Sequence, residues 1–263
     1  MISVDAVDLQ LKGRGALVLG ATSGLGRAVA DGLAAEGART AFTGRRGDVA
    51  REAAARYPGS LGLELDIADP ESVRRGVTEA TEALGAIDIV VLNSGGPPPG
   101  NAEGLTPGDM EASLRSLLLG HIGLVSQVLP EMRRRKWGRI VAIGSSGIDA
   151  PIAGLARSNA GRAALAGYLK TLASEVAADG VTVNMVLPGR IMTPRVTEID
   201  NARARSTGKD VETVAAEYVA AIPAGRYGEP EEFASAAVFL CGAGASFITG
   251  ERLRVDGGMV AAH

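Results

Sequence analysis

The chain has 263 residues, 46% of them hydrophobic, enough to bury one large α/β core. A net charge of −3 and a pI near 5.6 supply no basic field of the kind that nucleic acid or an anionic membrane surface requires. The single cysteine, Cys241, excludes an internal disulfide, no apolar run looks long enough to cross a bilayer, and residues 1–5 lack the features of a signal peptide, so a cytoplasmic protein is expected.

Short apolar runs alternate with longer helix-like stretches. The first run, 16–19, leads into Gly20-Ala21-Thr22-Ser23-Gly24-Leu25-Gly26 and then Arg27-Ala28-Val29-Ala30, which reads as strand, glycine turn and helix start. Glycines permit positive φ and close approach, and the N-terminus of a helix favours an anion, so this junction is suited to a phosphate. Further strands are expected at 40–43, 61–65, 87–92, 139–143, 182–186 and 253–255. Helices should start near Asp48, Pro70, Thr106, Ser158 and Pro230, two of them opened by Asp69-Pro70-Glu71 and Gly228-Glu229-Pro230-Glu231. Residues 192–221, rich in charge, read as an excursion able to close over a crevice. Runs such as Val90-Val91-Leu92 are continuous rather than alternating, the habit of strands covered on both faces. The expectation is one α/β domain over 1–263, a Rossmann-type doubly wound parallel sheet of about seven strands in three α/β/α layers. Ligands of such sheets bind beyond the carboxyl ends of the strands, where the glycine turn and the residues after Leu92 and Ile143 should converge.

Five further motifs accompany the glycine turn in order: Leu65-Asp66-Ile67, Leu92-Asn93-Ser94-Gly95, Ile143-Gly144-Ser145, Leu187-Pro188-Gly189 and Val255-Asp256-Gly257-Gly258. With them the chain resembles the short-chain dehydrogenase/reductase family over nearly its whole length. That resemblance implies that Gly20, Thr22, Ser23, Gly24, Leu25 and Gly26 surround the pyrophosphate and adenosine ribose of a nicotinamide cofactor. Asp66 and Ile67 would meet the adenine, Asn93 and Gly95 the neighbouring backbone, and Pro188, Gly189, Ile191 and Thr193 the nicotinamide amide. Two departures are visible, Leu19 in place of a threonine and Leu92-Asn93-Ser94-Gly95 in place of Asn-Asn-Ala-Gly. At the end of the second strand an acidic residue would bind a ribose 2′-hydroxyl, but Gly44 stands there, followed by Arg45 and Arg46. Guanidinium groups grip phosphates, so NADP(H) is expected over NAD(H), against the plainer reading of two solvated charges opening a helix.

The resemblance also implies a tyrosine and, one helical turn later, a lysine, with a serine and an asparagine completing the site. Counted from Ser145 at the serine position, these fall on Ser158, Arg162 and Leu117, so only the serine is kept. A shift of register does not recover a tyrosine; Tyr168 lacks a lysine four residues on and reads as a packing residue. Ser158 is a poor proton donor, and Arg162 offers fixed charge and a fork of donors that could hold the cofactor ribose or stabilise an oxyanion. Three functions stay open: an oxidoreductase of small carbonyl or related substrates using Ser145, Ser158 and Arg162, a non-redox enzyme, and an NADP(H)-binding module without turnover.

His121 could substitute as an acid, although a lone histidine on a long helix is more often at a surface or interface. Asp149 could line the entrance or cap a turn. Arg157, Arg190 and Arg195 could favour an anionic substrate or be ordinary surface charge, and Tyr218 and Tyr227 lie in or near the excursion. The resemblance further suggests a homotetramer, or a homodimer, packed through the helices after Thr106 and Ser158, with no metal.

Overall fold

The structure is a computed structural model that describes residues 8–261, so the reading of residues 1–5 lies outside it. Seven strands form one parallel sheet: β1 (Gly15–Val18), β2 (Arg39–Gly44), β3 (Leu61–Glu64), β4 (Ile89–Leu92), β5 (Gly138–Ile143), β6 (Val181–Pro188) and β7 (Arg252–Val255), in the order β3-β2-β1-β4-β5-β6-β7. The chain runs outward from β1 to β3 and then returns to the other side of β1 at β4. This reversal makes the crevice in which such sheets bind ligands.

Among the described residues nine α-helices connect and cover the strands: α1 (Gly24–Ala35), α2 (Gly47–Ala54), α3 (Pro70–Leu84), α4 (Pro107–Leu114), α5 (Gly120–Arg134), α6 (Ala156–Val176), α7 (Pro194–Thr207), α8 (Val211–Ala220) and α9 (Pro230–Cys241). Because side chains alternate along a strand, Val18, Val91 and Val141 enter the core beneath α1, α2 and α9. Leu17, Val90 and Ile140 enter the second core, beneath α3, α5 and α6. Both faces are covered, which explains the unbroken apolar runs.

Local chemistry starts several helices. Asp69 accepts from the Glu71 amide at 3.0 Å, and Thr106 and Asp109 cap each other reciprocally. The helix expected near Ser158 begins two residues earlier, because no side chain caps it; the Ala156 amide donates instead to the Gly100 carbonyl at 3.1 Å. A tertiary pairing therefore sets this start.

A π-helical turn, Arg115–Leu119, joins α4 to α5. By length and composition the resulting helix, Pro107–Arg134, is apolar enough to span a bilayer, which corrects the sequence expectation. In the fold it lies along the sheet, with Leu124, Val125, Val128 and Met132 buried. The excursion folds into α7 and α8, capped by Thr193 and Asp210.

Candidate active site

The glycine turn between β1 and α1 has the conformation that its residues allow. Gly20 and Gly24 take φ of +61° and +58°, and a Cβ on Gly26 would stand 2.4 Å from the Gly20 carbonyl oxygen and 2.5 Å from Asn93 Nδ2. Asn93 donates to the Gly20 carbonyl at 3.4 Å, tying the end of β4 to the turn. Ser23 occupies the N-cap position of α1 without its side chain capping the helix, so the first-turn amides remain available to an anion. Thr193 closes the other side: a Cβ on Gly24 would meet its side chain at 3.8 Å. The turn from Gly20 to Gly26 thus lies with Asn93 on one side and Thr193 on the other, its first-turn amides suited to an anion.

At the end of β2, Arg46 donates through Nη2 to Thr22 Oγ1 at 3.0 Å and Ser23 Oγ at 3.3 Å, while Arg45 is exposed. A Cβ on Gly44 would come within 2.8 Å of Thr22 Cγ2, so an acidic side chain at this position requires Thr22 to move. Asp66 spends one carboxylate oxygen on the Ala68 amide, 3.0 Å away, and the Ile67 carbonyl is packed beneath Gly120. Gly189 donates to the Val255 carbonyl at 2.9 Å and touches the backbone of Asp256. Pro188, at the end of β6, pairs with Val255. The buried Ile191 sits opposite Gly228 in an isolated bridge whose hydrogen bonds are made by Met192 and Arg190, which leaves the peptide groups of Ile191 outside it. Gly95 stands apart, with open space where a Cβ would be.

Ser145 follows the carboxyl end of β5, which Ser158 and Arg162 approach from α6. Ser158 and Arg162 lie one turn apart on α6, and Arg162 Nε donates to Ser158 Oγ at 3.3 Å. Arg162 Nη1 donates to the Ile143 carbonyl at 3.0 Å, and Ser145 Oγ accepts from the Gly147 amide at 3.1 Å. Burial, with the Arg195 charge second, brings the Arg162 guanidinium down to about 10, so it stays cationic at neutral pH. Among the described residues no carboxylate pairs with it. Leu117 is buried in the π-helical turn and fills the space left by Gly161, where a Cβ would meet Leu117 Cδ1 at 2.6 Å.

Several other expectations change. His121 is buried rather than at a surface, and Nδ1 lies 3.3 Å from the Leu117 carbonyl. That contact requires the proton on Nδ1 and leaves buried Nε2 without a partner. Desolvation, opposed by the Leu117 and Asn93 carbonyls, lowers its pKa to about 4, so the ring is neutral at pH 7. Asp149 closes the 3-10 turn Ser146–Ile148, its amide donating to the Ser146 carbonyl at 3.1 Å, and its carboxylate pairs with Arg252 at 2.9 Å and Arg254 at 2.8 Å on β7. Arg157 pairs with Asp109 at 2.7 Å and Arg190 with Asp200, so neither is a free surface charge. Tyr227 donates to Asp200 at 2.9 Å, and burial followed by that bond pushes its hydroxyl up to about 12, while Tyr218 lies beneath the Arg190 guanidinium. Asp200, unrecognised in the sequence, is the hub of this cluster. Tyr168 packs against the α3, α5 and α6 core.

A doubly wound sheet with a glycine cradle at its reversal point, facing a serine and arginine constellation, defines a dinucleotide-binding domain of the Rossmann type. The chain belongs to the short-chain dehydrogenase/reductase family. A family model described as enoyl-(acyl carrier protein) reductase matches residues 20–260. The chain is 34% identical to the 3-oxoacyl-acyl-carrier-protein reductase FabG of Aquifex aeolicus, over 96% of this chain and 100% of that one. It is 36% identical to FabG of Escherichia coli, over 95% and 99%. Among solved structures, the L-sorbose reductase of Gluconobacter frateurii, complexed with NADPH and L-sorbose, superposes with a TM-score of 0.91 at 31% identity, covering 98% of this chain and 100% of that chain.

Proposed function

We propose that this chain is an NADP(H)-dependent reductase of a small carbonyl substrate, in which Ser145, Ser158 and Arg162 hold the oxygen that gains charge. Thr22, Ser23 and Arg46 would hold the 2′-phosphate side of the cofactor, the glycine turn its diphosphate, and the loop from Pro188 to Thr193 its nicotinamide end. The NADPH complex of the similar sorbose reductase supports this choice of cofactor. When bound, NADPH supplies a hydride.

The observation that carries the proposal is the Arg162 cation, held at the end of β5 with no carboxylate against it. A guanidinium so placed stabilises negative charge on a substrate oxygen without donating its proton outright. Ser145 and Ser158 orient that oxygen, and water in the crevice is the proton source. Single-turnover oxidation of bound NADPH against aldehydes, ketones, imines and enones tests this. Oxidation with a carbonyl or conjugated carbonyl compound is expected; tight NADPH binding without oxidation by any of them sinks it.

That negative outcome defines the second reading, a non-redox enzyme or a binding module without turnover. It is favoured by one feature: neither Ser158 nor Arg162 releases a proton near neutral pH. For assembly we propose a homotetramer packed through α4, α5 and α6, which would cover Leu119, 56% exposed on α5's approach. Sedimentation of a monomer would exclude it.

A further inference from the structure

Arg157, Arg190, Arg254, Arg162 and Arg195 differ in their partners, and the first three are already neutralised. Arg157 pairs with Asp109, Arg190 with Asp200, and Arg254 with Asp149. Among the described residues the partners of Arg162 are neutral, the Ser158 hydroxyl and the Ile143 carbonyl. Arg195, in the first turn of α7, has one acidic contact, Glu198 at 3.5 Å, and both side chains are largely in water, at 45% and 69% exposure. Such a pair is worth little. The Arg195 guanidinium lies against Gly96, where a Cβ would be 3.4 Å from Nη2, and reaches the Pro97 carbonyl only at 3.5 Å. Its charge is near enough to Arg162 to disfavour that cation. Arg162 at the carboxyl end of β5 and Arg195 against the loop after β4 thus lie beyond two neighbouring strands, and the one acidic contact between them is the weak pair with Glu198.

We infer that Arg195 is a specificity-determining residue and that the substrate is a small carboxylic acid bearing the reducible carbonyl, its carboxylate taken by Arg195 and its carbonyl oxygen by Arg162. The inference rests on the reductase reading and adds the substrate class. A planar carboxylate matches the guanidinium fork. Arg195 has the slack to receive one: its present contacts, Glu198 and the Pro97 carbonyl, are both at 3.5 Å and exposed. Gly96 leaves the room beside it.

The test is calorimetry on the full-length protein saturated with NADP⁺, titrated with 2-oxobutyrate, with its uncharged amide, and with inorganic phosphate. Reading binding rather than turnover separates this inference from the reductase proposal, whose cofactor arm is the NADP⁺ titration itself. If NADP⁺ gives no heat, the cofactor reading fails and the acid and amide are titrated into the coenzyme-free protein. The acid should bind at least tenfold more tightly than the amide. Arg195→Gln should erase that preference with NADP⁺ affinity unchanged, and Arg195→Lys should restore part of it. Equal binding of acid and amide, no binding of the acid, a preference that survives Arg195→Gln, or phosphate binding more tightly than the acid each overturns the inference.

Discussion

Arg162 donates to the Ile143 carbonyl at 3.0 Å, joining the first half of α6 to the carboxyl end of β5. The bond fixes the guanidinium at the end of β5, beside which the proposed reading puts the substrate oxygen, yet the cation has no anion beside it among the described residues, so its burial works against folding. Replacing it by Met removes about 1 kcal/mol of hydrogen bonding and relieves the desolvation of a charge. Arg162→Met should therefore melt within a few degrees of the parent, or above it, while turnover falls about a hundredfold or more. A large loss of thermal stability alongside the lost turnover would make Arg162 a structural residue.

In the proposed reading, cofactor choice follows from Arg46 and Gly44. Arg46→Ala should weaken NADPH binding about tenfold, a loss of about 1.4 kcal/mol, and leave NADH binding nearly unchanged. Gly44→Asp alone should weaken both coenzymes, because its Cβ would stand 2.8 Å from Thr22 Cγ2. Pairing it with Thr22→Ser removes that methyl and should turn the preference toward NADH. Fluorescence titrations of both reduced coenzymes measure each step, and an Arg46→Ala protein that keeps the parental NADPH affinity would refute the assignment.

The sheet and its cradle were legible because their determinants are local: apolar runs, glycines at the turn, and Asp69 or Thr106 at helix starts. The interior of the site was not. A π-helical turn at Arg115–Leu119 adds a residue to one turn, so faces counted at 3.6 residues per turn drift beyond it, and His121 lands inside. Asp149 finds Arg252 and Arg254 across more than a hundred residues, two side chains sharing one face of β7 only because strands alternate. The missing counter-ion of Arg162 is likewise a property of the assembled crevice, invisible in its own neighbours Gly161 and Ala163.

His121 should make stability depend on pH. Its folded pKa, about 4, lies below the ordinary 6.5, so between these values the unfolded chain binds more protons. Stability is full above about pH 6.5 and falls as the pH drops toward 4, by about 3 kcal/mol in all. Glu232, held at about 2 by Arg226, keeps its contribution down to about pH 4.5 and loses it only below that. Urea unfolding across pH 4.5 to 7 should show this slope, and His121→Leu should flatten it while leaving stability at pH 7 within about 1 kcal/mol. A slope unchanged by the substitution would place the titrating group elsewhere.

Asp200 holds the excursion to the body of the fold. Nearly buried on α7, it accepts from Arg190 and from the Tyr227 hydroxyl at 2.9 Å, and Arg190 in turn lies over the Tyr218 ring of α8. Removing the carboxylate leaves a guanidinium and a phenol buried without their acceptor, a loss of about 3 kcal/mol. The loss should appear where the contacts are: Asp200→Ala should speed limited proteolysis within residues 192–221 and raise the substrate KM, with NADPH affinity unchanged. Tyr227→Phe, which removes one neutral donor and leaves the ion pair, should cost about 1 kcal/mol and keep turnover, since a hydroxyl held near 12 is no proton donor at neutral pH. A Tyr227→Phe protein that binds NADPH normally and has lost turnover would instead make Tyr227 the missing acid.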